Sequence, residues 1–288
     1  MSERSARLAR SAAMASITVA LVLVALKSWA SWRTGSTAML GSLADSALDL
    51  IASLATLTGV WIASMPADED HRFGHGKAEA LAAIFQIMLI VLSAFGIAAR
   101  AVTQLAGGGE TAAAAEGIGV SLVAIVLTFA LLGWQSYVMR RTRSLAIQTD
   151  HLHYKSDLLL NLAVILALVL DQYAGIGMAD PLFGLAIAAW LGWGAWRGAS
   201  DAVDDLMDRE WPEDRRLAFV EAAARHPDLS NLHDLRTRTS GNRDFVQFQV
   251  ALPPLLTIEE AHATTAPVED DWRPFSSKQR TLPTTHQH

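Results

Sequence analysis

HLHYKSDLLLNLAVILAL, residues 151–168, opens with two histidines, a lysine and an aspartate and then turns almost wholly to hydrocarbon. With its flanks it makes a segment near 146–171, long enough as a helix rising about 1.5 Å per residue to cross a bilayer core about 30 Å thick. His153 and Asp157 then lie one helical turn apart inside lipid. An ionisable side chain is expensive there, so each is a functional-site hypothesis by default.

Five more segments have the same length and apolarity, near 10–32, 40–64, 78–104, 117–139 and 179–198. The chain of 288 residues is 51% hydrophobic and 18% charged, with a mean hydropathy of +0.26, against about 25% charged for a soluble domain. That is the composition of a multi-pass membrane protein with a soluble part. A net charge of −6 and a pI near 5.8 argue against a nucleic-acid surface. Cysteine is absent, so a metal site must use imidazole, carboxylate and carbonyl groups, a set that suits zinc and its neighbours. The basic start MSERSARLAR resembles a signal peptide's n-region. The apolar run after it is too long, lacks a clean cleavage site and is followed by more spans, which predicts a retained first helix.

Basic residues set the orientation. Arg4, Arg7, Arg10, Arg72, Lys77, Arg140, Arg141 and Arg143 fall on one side of the six segments, against Arg33 and Arg100 on the other. The positive-inside rule places both termini in the cytoplasm of a protein of the inner (plasma) membrane. Trp29, Trp32, Trp61, Trp134, Trp193 and Trp196 fall near segment ends, either as headgroup-level anchors or as packing residues. Gly184, Ala188 and Gly192 form a small-xxx-small series that permits close helix contact.

After Asp201 the character changes. PEDRRLAFVEAAARH (212–226) has helical periodicity, LHDLRTRTS and DFVQFQVAL alternate like strands joined by SGNR, and TIEEAHATTA starts a helix that Pro267 should stop. This α-β-β-α order predicts a small α+β domain. The expected division is a six-helix transmembrane domain over residues 1–208 and a cytoplasmic domain over 209–288. Beyond about residue 263 the periodicity is lost and the last strand stays open.

Asp45 and Asp49, in SLADSALDLIASL, repeat the i, i+4 arrangement of His153 and Asp157. Two helices with a ligand pair each can close four groups around one ion, as zinc favours. The alternative is polar pairing across helices. Three buried carboxylates without a counter-charge would cost several kcal/mol each, and a bound dication or protons would remove that cost. Asn161 lies one turn beyond Asp157, either to orient a ligand or to bond a neighbouring helix; Ser42, Ser46, Asp150 and His151 are assigned no role.

DSALD, HYKSD, HRFGHGKAE (71–79) and HDLRTR (233–238) together resemble the cation diffusion facilitators, in particular their bacterial zinc and iron efflux branch. The resemblance implies a homodimeric antiporter that exports a divalent cation in exchange for protons, with six transmembrane helices and a ferredoxin-like cytoplasmic domain. It puts Asp45, Asp49, His153 and Asp157 at the transport site and favours Zn2+, with Cd2+, Fe2+, Co2+ and Ni2+ as alternatives. It implies a cytoplasmic-loop metal site at Asp68, His71 and His75, and a salt bridge between Lys77 and Asp208 at the joint of the two domains. It also implies a soluble-domain site at His233 and His262, with His286 and His288 in the tail TLPTTHQH as the candidates for its remaining ligand. Gln249 stands where the family usually has histidine, and the closing His-x-Asp strand is replaced, so the second metal of that site is open.

Rival readings are an intramembrane zinc enzyme and a channel or metal sensor without coupled transport. The enzyme lacks an HExxH motif and a spare general base on the ligand face. A channel would dissipate a zinc gradient without moving protons.

Overall fold

The computed structural model describes residues 3–34, 37–106, 118–174, 179–223, 232–241 and 243–251, with Thr257 and Glu259. Six long helices come first: α1 (Glu3–Thr34), α2 (Thr37–Ala63), α3 (Ala78–Leu105), α4 (Ile118–Met139), α5 (Leu145–Ala174) and α6 (Ala179–Leu206). A short helix α7 (Glu213–Ala223) and an antiparallel hairpin, β1 (Leu232–Ser240) and β2 (Arg243–Val250), follow.

Among the described residues, four stretches are long and apolar enough to cross a bilayer: Ser5–Arg33, Ser42–Ala63, Ala78–Leu105 and Leu122–Met139. The other two long helices each have one polar end. α5 begins with Asp150, His151, His153, Lys155 and Asp157, and α6 ends with Asp201, Asp204 and Asp205. Two boundaries move from those predicted: α1 starts at Glu3 and α6 runs on to Leu206. Both extensions are polar, and hydropathy does not register a helix once it has left the apolar layer.

Small side chains let the helices approach closely. Ala9, Ala12 and Ala13 of α1 pack with Val60, Ala82, Val138, Ala146 and Ile147 in one buried cluster. α3 and α6 form the most extensive helix pair, where Ile87, Ile90 and Ala94 meet Leu191 and Ala195. Gly184 of the small-residue series faces Ala101 and Ala188 is buried, but Gly192 faces open space; elsewhere on α6, Gly194 and Gly198 are approached closely, by Leu152 and Ile87. All six tryptophans near segment ends are exposed, the anchor alternative.

α5 starts where Ser144 Oγ accepts the N–H of Ile147 at 3.4 Å, an N-cap. α6 stops in a Schellman turn, in which Arg209 N–H donates to Asp204 O and Asp208 N–H to Asp205 O. The left-handed residue of that turn, usually glycine, is Asp208, at φ 58°. In the C-terminal part Trp211, Phe219 and Ala223 pack on Leu232, Leu235, Val246, Phe248 and Val250 of the hairpin. The helix predicted from TIEEAHATTA and the chain beyond it lie outside the described residues.

Candidate metal centre

α2 and α5 bring three of the four predicted transport ligands together. His153 Nε2 lies 2.9 Å from Asp49 Oδ1 and 3.7 Å from Asp157 Oδ2. One ligand atom from each of the three falls within 4.8 Å of the others. The histidine is buried, while the Asp49 and Asp157 side chains keep 17% and 32% of their surface exposed, so the cluster has an accessible edge. Asp45, one turn towards the start of α2, is exposed and stands outside this close group.

The carboxylates do have a counter-charge, which corrects the sequence-based expectation. Lys27 of α1 donates from Nζ to Ser46 Oγ at 2.7 Å and to Ser42 O at 3.1 Å, both on α2. Its charge acts on Asp49, Asp45 and Asp157. The signal was available: a lysine inside an apolar span is itself a functional-site flag. Ser42 and Ser46, given no role from sequence, hold that ammonium. Asn161 donates to the backbone O of Asp157 at 2.8 Å, within its own helix.

Behind the cluster lies a buried polar scaffold. Tyr154 Oη is 2.9 Å from Ser53 Oγ and donates to Ser16 O at 3.3 Å. Asp150 is fully buried and accepts from Gln86 Nε2 (2.9 Å), Gln135 Nε2 (2.7 Å) and Ser16 Oγ (2.5 Å). Gln86 Oε1 in turn accepts from Thr56 at 2.8 Å, and His151 Nδ1 lies 3.2 Å from Gln135 Oε1. Asp150 and His151 thus belong to packing rather than to the ligand face.

A second cluster forms in the loop between α2 and α3. Asp68 Oδ1 lies 3.2 Å from His71 Nδ1, and Asp68 Oδ2 lies 3.3 Å from His75 Nε2; the two rings are 4.5 Å apart. The backbone N–H of His71, and then its side chain, hold the Asp68 carboxyl below the usual carboxylate range. The carboxylate is therefore ready for a cation. His75 presents Nε2 to Asp68, and its Nδ1 is enclosed without a hydrogen-bond partner among the described residues. Gly74, at φ 83°, gives the left-handed turn that folds His71 and His75 back to Asp68.

This loop rests on the hairpin. Phe73 meets Phe245 edge-on at 5.7 Å, and Arg238 lies over both rings, at 4.3 and 5.0 Å. Gly76 is pressed against the backbone of Ser240 and Gly241. Lys77 Nζ is 3.0 Å from Asp208 Oδ1, an ion-pair distance off hydrogen-bond geometry, and donates to Leu206 O at 2.9 Å. Asp208 also pairs with Arg238 at 3.1 Å. The left-handed backbone at Asp208 is what turns its carboxylate to both cations. Burial pushes that carboxyl up, but Lys77 and Arg238 outweigh it and hold it below the ordinary value.

His233 lies on β1 directly across from Gln249, which donates to Asp234 at 3.3 Å. The position opposite His233 thus offers an amide. His262 and His286 lie outside the described residues.

Comparison with known proteins adds an independent line. Residues 13–207 match the family described as "Cation efflux transmembrane domain", and residues 211–273 match "Cation efflux protein, cytoplasmic domain". The chain is 40% identical over 232 residues to the cation-efflux pump FieF of Cronobacter sakazakii, covering 81% of this chain and 77% of the relative. It is 41% identical to the same-named pump of Yersinia pestis, with the same coverage.

Proposed function

The chain belongs to the cation diffusion facilitator family, whose members are transporters rather than enzymes, and on that premise we propose that it exports a divalent metal in exchange for protons. The intramembrane-enzyme alternative is thereby set aside. Zn2+ is the first choice of substrate, because a His153 imidazole beside carboxylates is a borderline donor set. Cd2+, Fe2+, Co2+ and Ni2+ are the alternatives.

The observation that carries this reading is the His153 ring nitrogen set between Asp49 of α2 and Asp157 of α5. Asp45 completes the four-ligand set by a rotamer change, from one turn away on the Asp49 face. All six long helices cross the inner membrane with both termini cytoplasmic. Residues 1–208 form the transport domain, and 209–288 form a ferredoxin-like domain through which two copies pair. Asp68, His71 and His75 hold a second ion at the cytoplasmic joint. His233, with His262 and His286, is the remaining candidate set, and Gln249 opposite His233 weakens it.

In the cycle, a hydrated dication reaches the cluster from the cytoplasm and exchanges water for carboxylate and imidazole, which must shed protons to bind it. A rocking of helices about the fixed site exposes it outward. Protons then compete for the same oxygens and nitrogen and expel the ion. The test is zinc uptake into proteoliposomes carrying both a zinc dye and a pH dye. Asp157→Ala should abolish uptake and the accompanying proton movement while the protein stays folded. Transport at the wild-type rate in that variant, or zinc flux without proton flux, refutes the proposal.

A further inference from the structure

Lys27 is the charged group that the transport reading leaves without a task. An interfacial lysine extends its ammonium to the headgroups, and Trp29, Trp32 and Arg33 show that such a level is close on α1. Lys27 turns instead to α2, where two of its three N–H donors are used by Ser46 Oγ and Ser42 O, one turn apart. Ser46 is fully buried and adjoins Asp45 in sequence, so the ammonium is fixed beside the acidic face of α2. The groups its charge acts on are Asp49, Asp45 and Asp157. Arg100 of α3 is exposed and acts on Asp45.

We propose that Lys27 sets the valence of the transport site, its ammonium cancelling one of three carboxylate charges so that a single dication neutralises the rest. This rests on the transport-site reading above. With His153 neutral and the exposed Arg100 left to solvent, Asp45, Asp49, Asp157 and Lys27 together carry −2, and a dication brings the group to zero. Net neutrality is the cheapest loaded state in a poorly solvated setting, where an unpaired charge is heavily penalised. A monovalent ion would leave an uncompensated negative charge. Removing the ammonium leaves a loaded site with one excess negative charge, which holds the metal harder and lets it go more slowly. A lysine that merely pinned α1 to α2 would, when removed, loosen the site and weaken binding. The two roles therefore predict opposite signs for affinity.

The experiment uses the full chain with Asp68→Ala, so that the loop does not contribute, and measures zinc affinity by calorimetry and uptake in proteoliposomes. Lys27→Met should bind zinc at least tenfold more tightly, since a unit charge acting on a dication over roughly 10 Å at an effective dielectric near 20 is worth more than that, and turn over at least tenfold more slowly. Lys27→Arg, which keeps the charge, should stay within about threefold of the parent in both. If Lys27→Met does not reach the membrane folded, Lys27→Gln keeps a donor to Ser46 and carries the same expectation. Affinity unchanged or weakened in the uncharged variant, while Asp157→Ala loses zinc, overturns the valence role and leaves the transport reading standing. Full zinc binding and transport in Asp157→Ala removes both.

Discussion

Substitution of Gly76 by alanine tests whether the loop between α2 and α3 and the hairpin are one mechanical unit. A Cβ there would lie 2.5 Å from the carbonyl carbon of Ser240 and closer still to its oxygen, and 2.8 Å from the nitrogen of Gly241. Both neighbours are backbone, so the overlap cannot be relieved by a rotamer. If the contact holds, the strain is that of an overpacked methyl, about 1–3 kcal/mol. If the loop lifts off, it gives up the Phe73–Phe245 pair and the Arg238 stack, about 0.5–1.5 kcal/mol for the ring pair and about 0.5–1 for each exposed cation–π contact. The two routes cost about the same, so the loop should open by about 2 kcal/mol, roughly thirtyfold in the opening equilibrium. Hydrogen–deuterium exchange on the full chain in nanodiscs should show this as roughly thirtyfold faster exchange in peptides spanning residues 66–80 and 236–248. Gly96→Ala, where an added Cβ meets nothing within 4 Å, is the control and should leave both peptides as they are. Exchange in Gly76→Ala as slow as in the control would refute the close docking of loop on hairpin.

Two further outcomes follow from charges at the same joint. Burial pushes Asp205 up to about 6, with Asp208 adding to the push and Lys77 opposing it; a carboxyl raised above its unfolded value of 3.8 costs stability once pH exceeds both values. Asp205→Asn should therefore raise thermal stability at pH 7 by about 1 kcal/mol, after allowing for solvent screening, and make no difference near pH 4 or below. Asp208 has the opposite sign: its depressed carboxyl contributes fully above 3.8 and loses that contribution as pH falls through its lower folded value. A double-mutant cycle on Lys77→Met and Asp208→Asn should then give a coupling of about 0.5–1 kcal/mol at pH 7, the same at pH 5, and a vanishing one as the solution is taken below pH 3. Coupling that disappears between pH 7 and pH 5 would contradict the assignment.

The long helices were legible because lipid demands an unbroken apolar run, and their polar ends were not because nothing apolar marks them. Asp49, His153 and Asp157 were legible for the complementary reason, since such groups are costly in that layer. Lys27 carried the same signal. It was missed because a single basic residue near Trp29 and Arg33 reads as an interfacial anchor until its bonds to α2 are seen. Asp150 is three residues before His153 in sequence, and only the positions of Ser16, Gln86 and Gln135 on three other helices show what it does. The seating of the loop on the hairpin depends on Phe73 meeting Arg238 and Phe245 across more than 160 residues of chain, a pairing with no local pattern. The register of β1 with β2 was closer to hand, because the alternation of both strands and their short connection leave few choices.

The Asp150 knot also bears on how the protein can move. One side chain gathers donors from α1, α3 and α4, and Thr56 adds α2 through Gln86. No helix in that group can slide past another without stripping partners from a carboxyl sealed away from water. The knot thus acts as a keystone, around which the inner ends of these helices travel as one block. Any play is left to the parts farther from it, where Asp45 is exposed and Asp157 is partly uncovered.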